Sequence, residues 1–154
     1  MTEITLIAIG RAGRTPEAEL VARYAERLRP KLRLVELPDG HGAPLECRRR
    51  EGAALLAALP AHAQAVALDL GGRALDTEAF AAQLTRWLEA GRPLAFLIGG
   101  AEGLDPAVLA RADAVLSLGA MTWPHQLARV MLAEQLYRAR SIALGHPYHR
   151  AGRP

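Results

Sequence analysis

Five short apolar runs, each five or six residues long and each ended by Gly or Pro, recur at Ile4–Ile9, Leu32–Leu37, Ala65–Leu70, Leu94–Ile98 and Ala114–Leu118. Segments with helical spacing separate them: Pro16–Leu28, Pro44–Leu59, Thr77–Ala90, Pro106–Ala110, and a long one from Pro124 to about Ile142. Strands that alternate with helices predict an α/β fold, a mostly parallel sheet with helices on both faces. Ala65–Leu70 and Leu94–Ile98 lack polar alternation, as central strands buried on both faces should. Ligands in such sheets bind outside the carboxyl ends of the strands. Three glycine-rich exits are expected there, and their grouping predicts one shared pocket: Leu68-Asp69-Leu70-Gly71-Gly72, Ile98-Gly99-Gly100-Ala101-Glu102-Gly103, and the run beginning Leu118-Gly119.

A chain of 154 residues, 51% hydrophobic, fits a single domain over 1–154 that closes a core without disulfide or metal support. Cys47 is the sole cysteine, which excludes an internal disulfide and favours a reducing compartment. Met1-Thr2-Glu3-Ile4 enters an apolar run without the basic flank of a signal peptide, and no stretch approaches membrane-spanning length, so the expected location is the cytoplasm. The net charge of +3 permits a polyanionic partner without requiring one. Its distribution says more: no acidic residue follows Glu134, while Arg138, Arg140, Arg150 and Arg153 remain. Arg48-Arg49-Arg50 reads as a solvated helix face.

Along the last helix, Ala128, Leu132, Leu136 and Ala139 form one apolar stripe. Leu127, Val130, Met131 and Tyr137 form a second, interleaved with Glu134 and Arg138 at i,i+4 spacing. One stripe covers the sheet; the other predicts a homodimer interface or a fully buried helix.

Several chemistries lose their fingerprints. Gly99–Gly103 is followed by no Gly-Lys-Ser/Thr and is not G-x-G-x-x-G, and Gly10-Arg11-Ala12-Gly13 fails the same tests. Of His41, His62, His125, His146 and His149, only the last pair is closely spaced, and His-x-x-His without carboxylates is a poor metal site, so no metal is expected. No nucleophile elbow or Ser-His-Asp order supports a hydrolase. What remains is a ligand cradled mostly by backbone, since glycines let the chain approach closely and expose peptide groups, with a basic tail nearby.

Four stretches carry a resemblance: Ile98-Gly-Gly-Ala-Glu-Gly103, Leu118-Gly-Ala-Met-Thr-Trp-Pro-His125, Arg129-Val-Met-Leu-Ala-Glu-Gln-Leu-Tyr-Arg138 and His146-Pro-Tyr-His-Arg150. Together they closely resemble the ribosomal RNA large subunit methyltransferase H family of the SPOUT class. The resemblance runs from Ile4 to Arg150 and is most specific over the last forty residues or so. It implies a trefoil-knotted fold, with the knot and cofactor site roughly over 65–145 and a basic tail over 146–154. It also implies a cytoplasmic homodimer that uses S-adenosylmethionine to methylate N3 of a pseudouridine in large-subunit ribosomal RNA, on the RNA or the assembled ribosome. Carried onto this chain, the cofactor contacts are Leu68, Gly99, Leu118, Gly119, Ala120, Met121, Thr122 and Trp123. The chain departs from the common pattern at Ala101, where Pro or another small residue is usual, and at Gly119, often Ser; both changes spare the backbone.

Transfer of a methyl from a sulfonium to a ring nitrogen needs two partners held in line and a group that takes or offsets the N3 proton. The tail supplies the catalytic candidates His149 and Arg150, and Tyr148, His149 and Arg150 combine a stacking face, a titratable ring and a phosphate-pairing guanidinium for RNA. His125, at the start of the last helix, is the local alternative. Two competing readings are a non-catalytic ribosome- or RNA-binding module of the same fold and a SPOUT enzyme with another RNA target.

Overall fold

The structure is a computed structural model that describes residues 3–151; Arg153, counted above in the basic tail, lies outside them. The described chain runs β1 (Ile4–Ile9), α1 (Pro16–Arg27), β2 (Leu32–Leu37), α2 (Pro44–Ala58), β3 (Gln64–Ala74), α3 (Thr77–Glu89), β4 (Leu94–Ile98), α4 (Pro106–Arg111), β5 (Ala114–Ser117) and α5 (His125–Ala143). The strands form one sheet in the order β2-β1-β4-β3-β5, and every named pairing is parallel.

Side chains alternate along each strand, so the sheet builds two cores. Ile4, Leu6, Ala8, Leu94, Phe96 and Ile98 point to the face covered by α1, α3 and α5. Ile7, Ile9, Ala65, Ala67, Ala95 and Leu97 point to the face covered by α2 and α4. Trp87 joins the first core, edge-on to both Phe80 and Phe96. Local chemistry sets the helix starts: Thr15, Asp76 and Asp105 accept from the amides of Ala18, Ala79 and Ala107, and Pro16, Pro44 and Pro106 open α1, α2 and α4.

Most boundaries fall within one residue of the sequence expectation. The exception is β3, whose Gly71-Gly72 was expected to end the strand. The chain instead leaves the β5 ladder after Leu68 and rejoins it at Arg73, both opposite Leu116, so β3 continues to Ala74. A Cβ on Gly72 would lie 2.7 Å from the Val115 and Leu116 backbone, and glycine here permits strand approach rather than an exit.

On α5, Leu132, Leu136 and Ala139 are buried and Ala128 packs against the first core, as the first stripe predicts. The second stripe is partly covered within the chain. Tyr137 meets Tyr24 of α1 and, edge-on at 4.8 Å, Tyr148 of the tail. Leu127 stays 39% exposed.

Candidate functional site

A cleft of about 600 Å³ opens at the carboxyl ends of β3, β4 and β5. Leu68, Gly99, Leu118, Gly119, Met121, Thr122 and Trp123 line it together; Ala120 sits in the same loop but off the wall. Asp69 and His125 are the only titratable side chains on that lining among the described residues. Met121, Leu70 and Trp123 stand 72%, 55% and 42% exposed on its walls, an unusual display of large apolar side chains around one opening.

Each wall is a constrained piece of backbone. At the end of β4, Gly103 N–H donates to Gly100 O at 3.1 Å and the two residues form an antiparallel bridge, which folds the chain back on itself. A Cβ on Gly99 would lie 2.8 Å from Gly103 O, so only glycine closes this turn without displacement. Behind it, Glu51 is 4% exposed and accepts from Gly40 N–H at 2.9 Å, while its Oε1 has no partner. Partial burial and the Glu51 carboxylate push the neighbouring Cys47 thiol pKa up, which keeps it protonated and a poor nucleophile. After β5, the Ser117 hydroxyl donates to Gly119 O at 2.9 Å and accepts from Gly119 N–H at 3.1 Å, fixing Gly119 at φ +115°. Among the first exit's residues, Asp69 accepts from Gly71 N–H at 2.9 Å and faces the cleft.

The residue that ties α5 to the sheet is Arg129. It is 1% exposed and donates to Ile9 O at 2.9 Å, to Gly10 O at 2.7 Å and to Glu36 at 2.5 Å. Ala12 N–H donates to the same Glu36 oxygen at 2.8 Å. Burial alone would raise the Glu36 pKa, but the Ala12 amide, the Arg129 hydrogen bond and charge, and the Arg11 charge together hold it below the ordinary value. One turn before Arg129, His125 brings its Nε2 to 3.7 Å from the Cβ position of Gly10, so the β1–α1 loop abuts the cleft rim.

The tail residues lie elsewhere. Tyr148 donates to Glu134 Oε2 at 2.7 Å under the Arg138 guanidinium, 4.8 Å from its ring centre. Arg138 also meets His149 Nδ1 at 3.2 Å, and His149 Nε2 lies 3.8 Å from Glu78 of α3. Burial, then the bond to Glu134, raises the Tyr148 pKa, so the phenol remains a donor at neutral pH. Arg150 is exposed. None of the three lines the cleft. α5 holds them instead, through the Glu134 carboxylate, the Arg138 guanidinium and the Tyr137 ring. A second cavity of about 550 Å³ lies between Phe80, Val130, Met131, Glu134 and the far side of Leu118-Gly119.

The glycine turns that meet at the cleft were legible in the sequence, but it gave no role to Arg129, Ser117, Glu51 or Asp69. Ser117, two residues before a glycine at the end of an apolar run, carried a local turn signal. Asp69, two residues before Gly71, carried the same kind of local signal, whereas Arg129 reaches partners 93, 119 and 120 residues away and Glu51 one 11 residues away, separations that no spacing rule spans.

A family model described as Predicted SPOUT methyltransferase matches residues 2–149. The chain belongs to the SPOUT methyltransferase family. Among curated relatives it is similar to the ribosomal RNA large subunit methyltransferase H of Gluconacetobacter diazotrophicus, 67% identical over 149 residues, 97% of this chain and 98% of that one. It is also similar to the protein of the same name from Acidiphilium cryptum, 62% identical over 151 residues, 98% and 96% of the two chains. Among solved structures, a probable methyltransferase from Bordetella pertussis Tohama I superimposes with a TM-score of 0.56 at 15% identity, covering 90% of this chain and 96% of that one, which shows the shared fold. Among the described residues, no group of three or more His, Cys, Asp or Glu is placed to hold a metal ion. No described helix is long and apolar enough to cross a membrane.

Proposed function

We propose that the chain transfers a methyl group from S-adenosylmethionine to N3 of a pseudouridine in large-subunit ribosomal RNA. The observation that carries this reading is the cleft itself: seven residues expected at a cofactor site, drawn from three separate strand exits, line one opening. Relatives 67% and 62% identical over nearly the whole chain carry the corresponding enzyme name.

The residues fit the cofactor. Gly99 lets the chain fold back tightly on Gly103 and so shapes one wall, the Leu118–Trp123 loop presents peptide groups and apolar side chains to a flat base, and Asp69 is the one carboxylate on the wall among the described residues, suited to a cationic sulfonium. The bound cofactor supplies an activated methyl. The chain therefore has to position the acceptor base, exclude water and deal with the N3 proton. Thr122 and the Leu118–Thr122 backbone hold the donor side, while Met121, Leu70 and Trp123 give an apolar surface that the docked acceptor covers.

His149 and Arg150 are the proposed groups for the proton and the developing anion, and Tyr148 with them for RNA. Their docking against α5, off the cleft of their own chain, supports completion of each site by the tail of a second copy. The exposed Leu127 and the cavity bordered by Val130 and Met131 support a homodimer built on α5. A cytoplasmic location follows from an RNA substrate of this kind, and family membership supports a trefoil-knotted path through the carboxyl-terminal half.

Titration calorimetry with S-adenosylmethionine tests the reading: wild type binds, and Gly99→Val, with unchanged circular dichroism, does not. A wild type that binds RNA but no cofactor would instead favour a non-catalytic RNA-binding module.

A further inference from the structure

The β1–α1 loop carries two arginines that the cofactor cleft does not use. Arg11 and Arg14 are exposed, and neither forms a salt bridge among the described residues. Other arginines near acids are neutralised: Arg49 and Arg50 by Glu46, Arg111 by Asp113, Arg138 by Glu134. Arg11 is felt at Glu36, but that carboxylate already serves Arg129 and the Ala12 amide.

The backbone beneath these two charges is fixed. Gly10 N–H donates to Leu37 O at 2.7 Å, Arg129 holds the Ile9 and Gly10 carbonyls, and Glu36 holds the Ala12 amide. Gly10 and Gly13, at φ +94° and +62°, turn the loop, and Thr15 then caps α1. An ion pair with a buried guanidinium and a partly buried carboxylate thus stiffens a short loop whose exposed arginines form no salt bridge among the described residues. The loop also touches the cleft rim at His125. Unpaired guanidiniums on a preorganised backbone are the pattern that recognises phosphate, because little order remains to be imposed on binding.

We infer that Arg11 and Arg14 form a phosphate-binding arm that seats the RNA backbone beside the cleft mouth, on the side of the β1–α1 loop. This rests on the RNA methyltransferase reading above and adds to it a contact surface separate from the tail. The arm contributes to affinity and orientation and not to methyl transfer, since backbone contacts position a nucleic acid without reading its sequence.

The test uses the full chain and purified ribosomes from cells lacking the modification. Binding is measured across a salt series, alongside methyl transfer from labelled S-adenosylmethionine. Arg11→Ala/Arg14→Ala is expected to weaken ribosome binding roughly tenfold and to flatten the slope of log affinity against log salt by about 1 to 2. Cofactor affinity and kcat at saturating ribosome stay at wild-type values. Arg11→Lys/Arg14→Lys, which keeps the charge, keeps most of the affinity and slope.

Arg33→Ala/Arg86→Ala removes the same charge from the opposite end of the sheet. Arg33 lies beside Thr5 near the start of β1, and Arg86 is in the last turn of α3, where Gln64 at the start of β3 reaches Trp87 O. Unchanged binding and slope in the loop variant would overturn the proposal, and so would an equal loss in this control, which would mark a net-charge effect. If wild-type protein transfers no methyl, the methyltransferase reading fails by itself, and the binding series still decides the arm.

Discussion

Arg129 and Glu36, 93 residues apart in sequence, meet at 2.5 Å at the junction of α5 with the ends of β1 and β2. Arg129 is buried and Glu36 partly so; Arg129 also donates to the Ile9 and Gly10 carbonyls and Glu36 accepts from the Ala12 amide, while Arg129 Nε has no partner. It fixes the helix that follows the Leu118–Trp123 loop and the loop that borders the cleft from the other side.

Removing Arg129 leaves the Ile9 and Gly10 carbonyls without their guanidinium donor and the partly buried Glu36 carboxylate without its cation. Arg129→Ala is expected to cost about 3–5 kcal/mol of unfolding free energy, measured by urea denaturation, which is the range for breaking a buried ion pair. Replacing Arg129 by Met does not recover the loss, because the Ile9 and Gly10 carbonyls still lack a donor.

The same pair predicts a pH dependence with a defined sign. The folded Glu36 carboxyl titrates below its ordinary value near 4.5, so its stabilisation is complete above that value and is lost as pH falls through the lower, folded value. The stability gap between wild type and Glu36→Gln should therefore narrow as pH is lowered from about 6 to about 3 in urea titrations. A gap that widens on acidification would mean that the carboxyl is not held ionised by its partners.

Tyr148→Phe deletes the hydrogen bond to Glu134 while keeping the ring against Tyr137. A bond to a charged acceptor contributes roughly 1.5–3 kcal/mol, so amide exchange over residues 146–150 should speed up about tenfold or more. Cofactor binding in the isolated protein should not change, since no tail residue lines the cleft.

Completion of the site by a second copy is tested by mixed dimers. Chains carrying Gly99→Val are co-assembled with chains carrying His149→Ala, each inactive as a homodimer. Sharing in trans predicts methyl transfer at one site per dimer, near half of the wild-type rate, whereas sites complete within a single chain predict none.

Much of this was legible in the sequence for physical reasons. The apolar run Leu94–Ile98 announced a strand buried throughout and Ala65–Leu70 one buried as far as Ala67 before it opens at Leu70 onto the cleft, and Pro16, Pro44 and Pro106 marked helix starts that depend on only a few neighbouring residues. The glycines at 99 and 119 flagged turns because their conformational requirement is local. Gly71-Gly72 misled because a glycine pair after an apolar run signals either an exit or a close strand approach, and only the position of Val115 and Leu116 decides which. Arg129 was opaque: its partners lie 93, 119 and 120 residues upstream, and on a helix wheel it reads as one more surface cation. The docking of Tyr148 and His149 against Glu134 and Arg138 was hidden for the same reason, although the Glu134–Arg138 pairing itself was readable from its i,i+4 spacing.

The most direct test of the central claim is methyl transfer mapped to an atom. The protein is incubated with labelled S-adenosylmethionine and ribosomes from cells lacking the modification, and the labelled nucleotide is located by digestion and mass spectrometry. The account predicts label on N3 of a single pseudouridine in large-subunit RNA. Cofactor binding with no transfer, or label on another atom or another RNA, would contradict it.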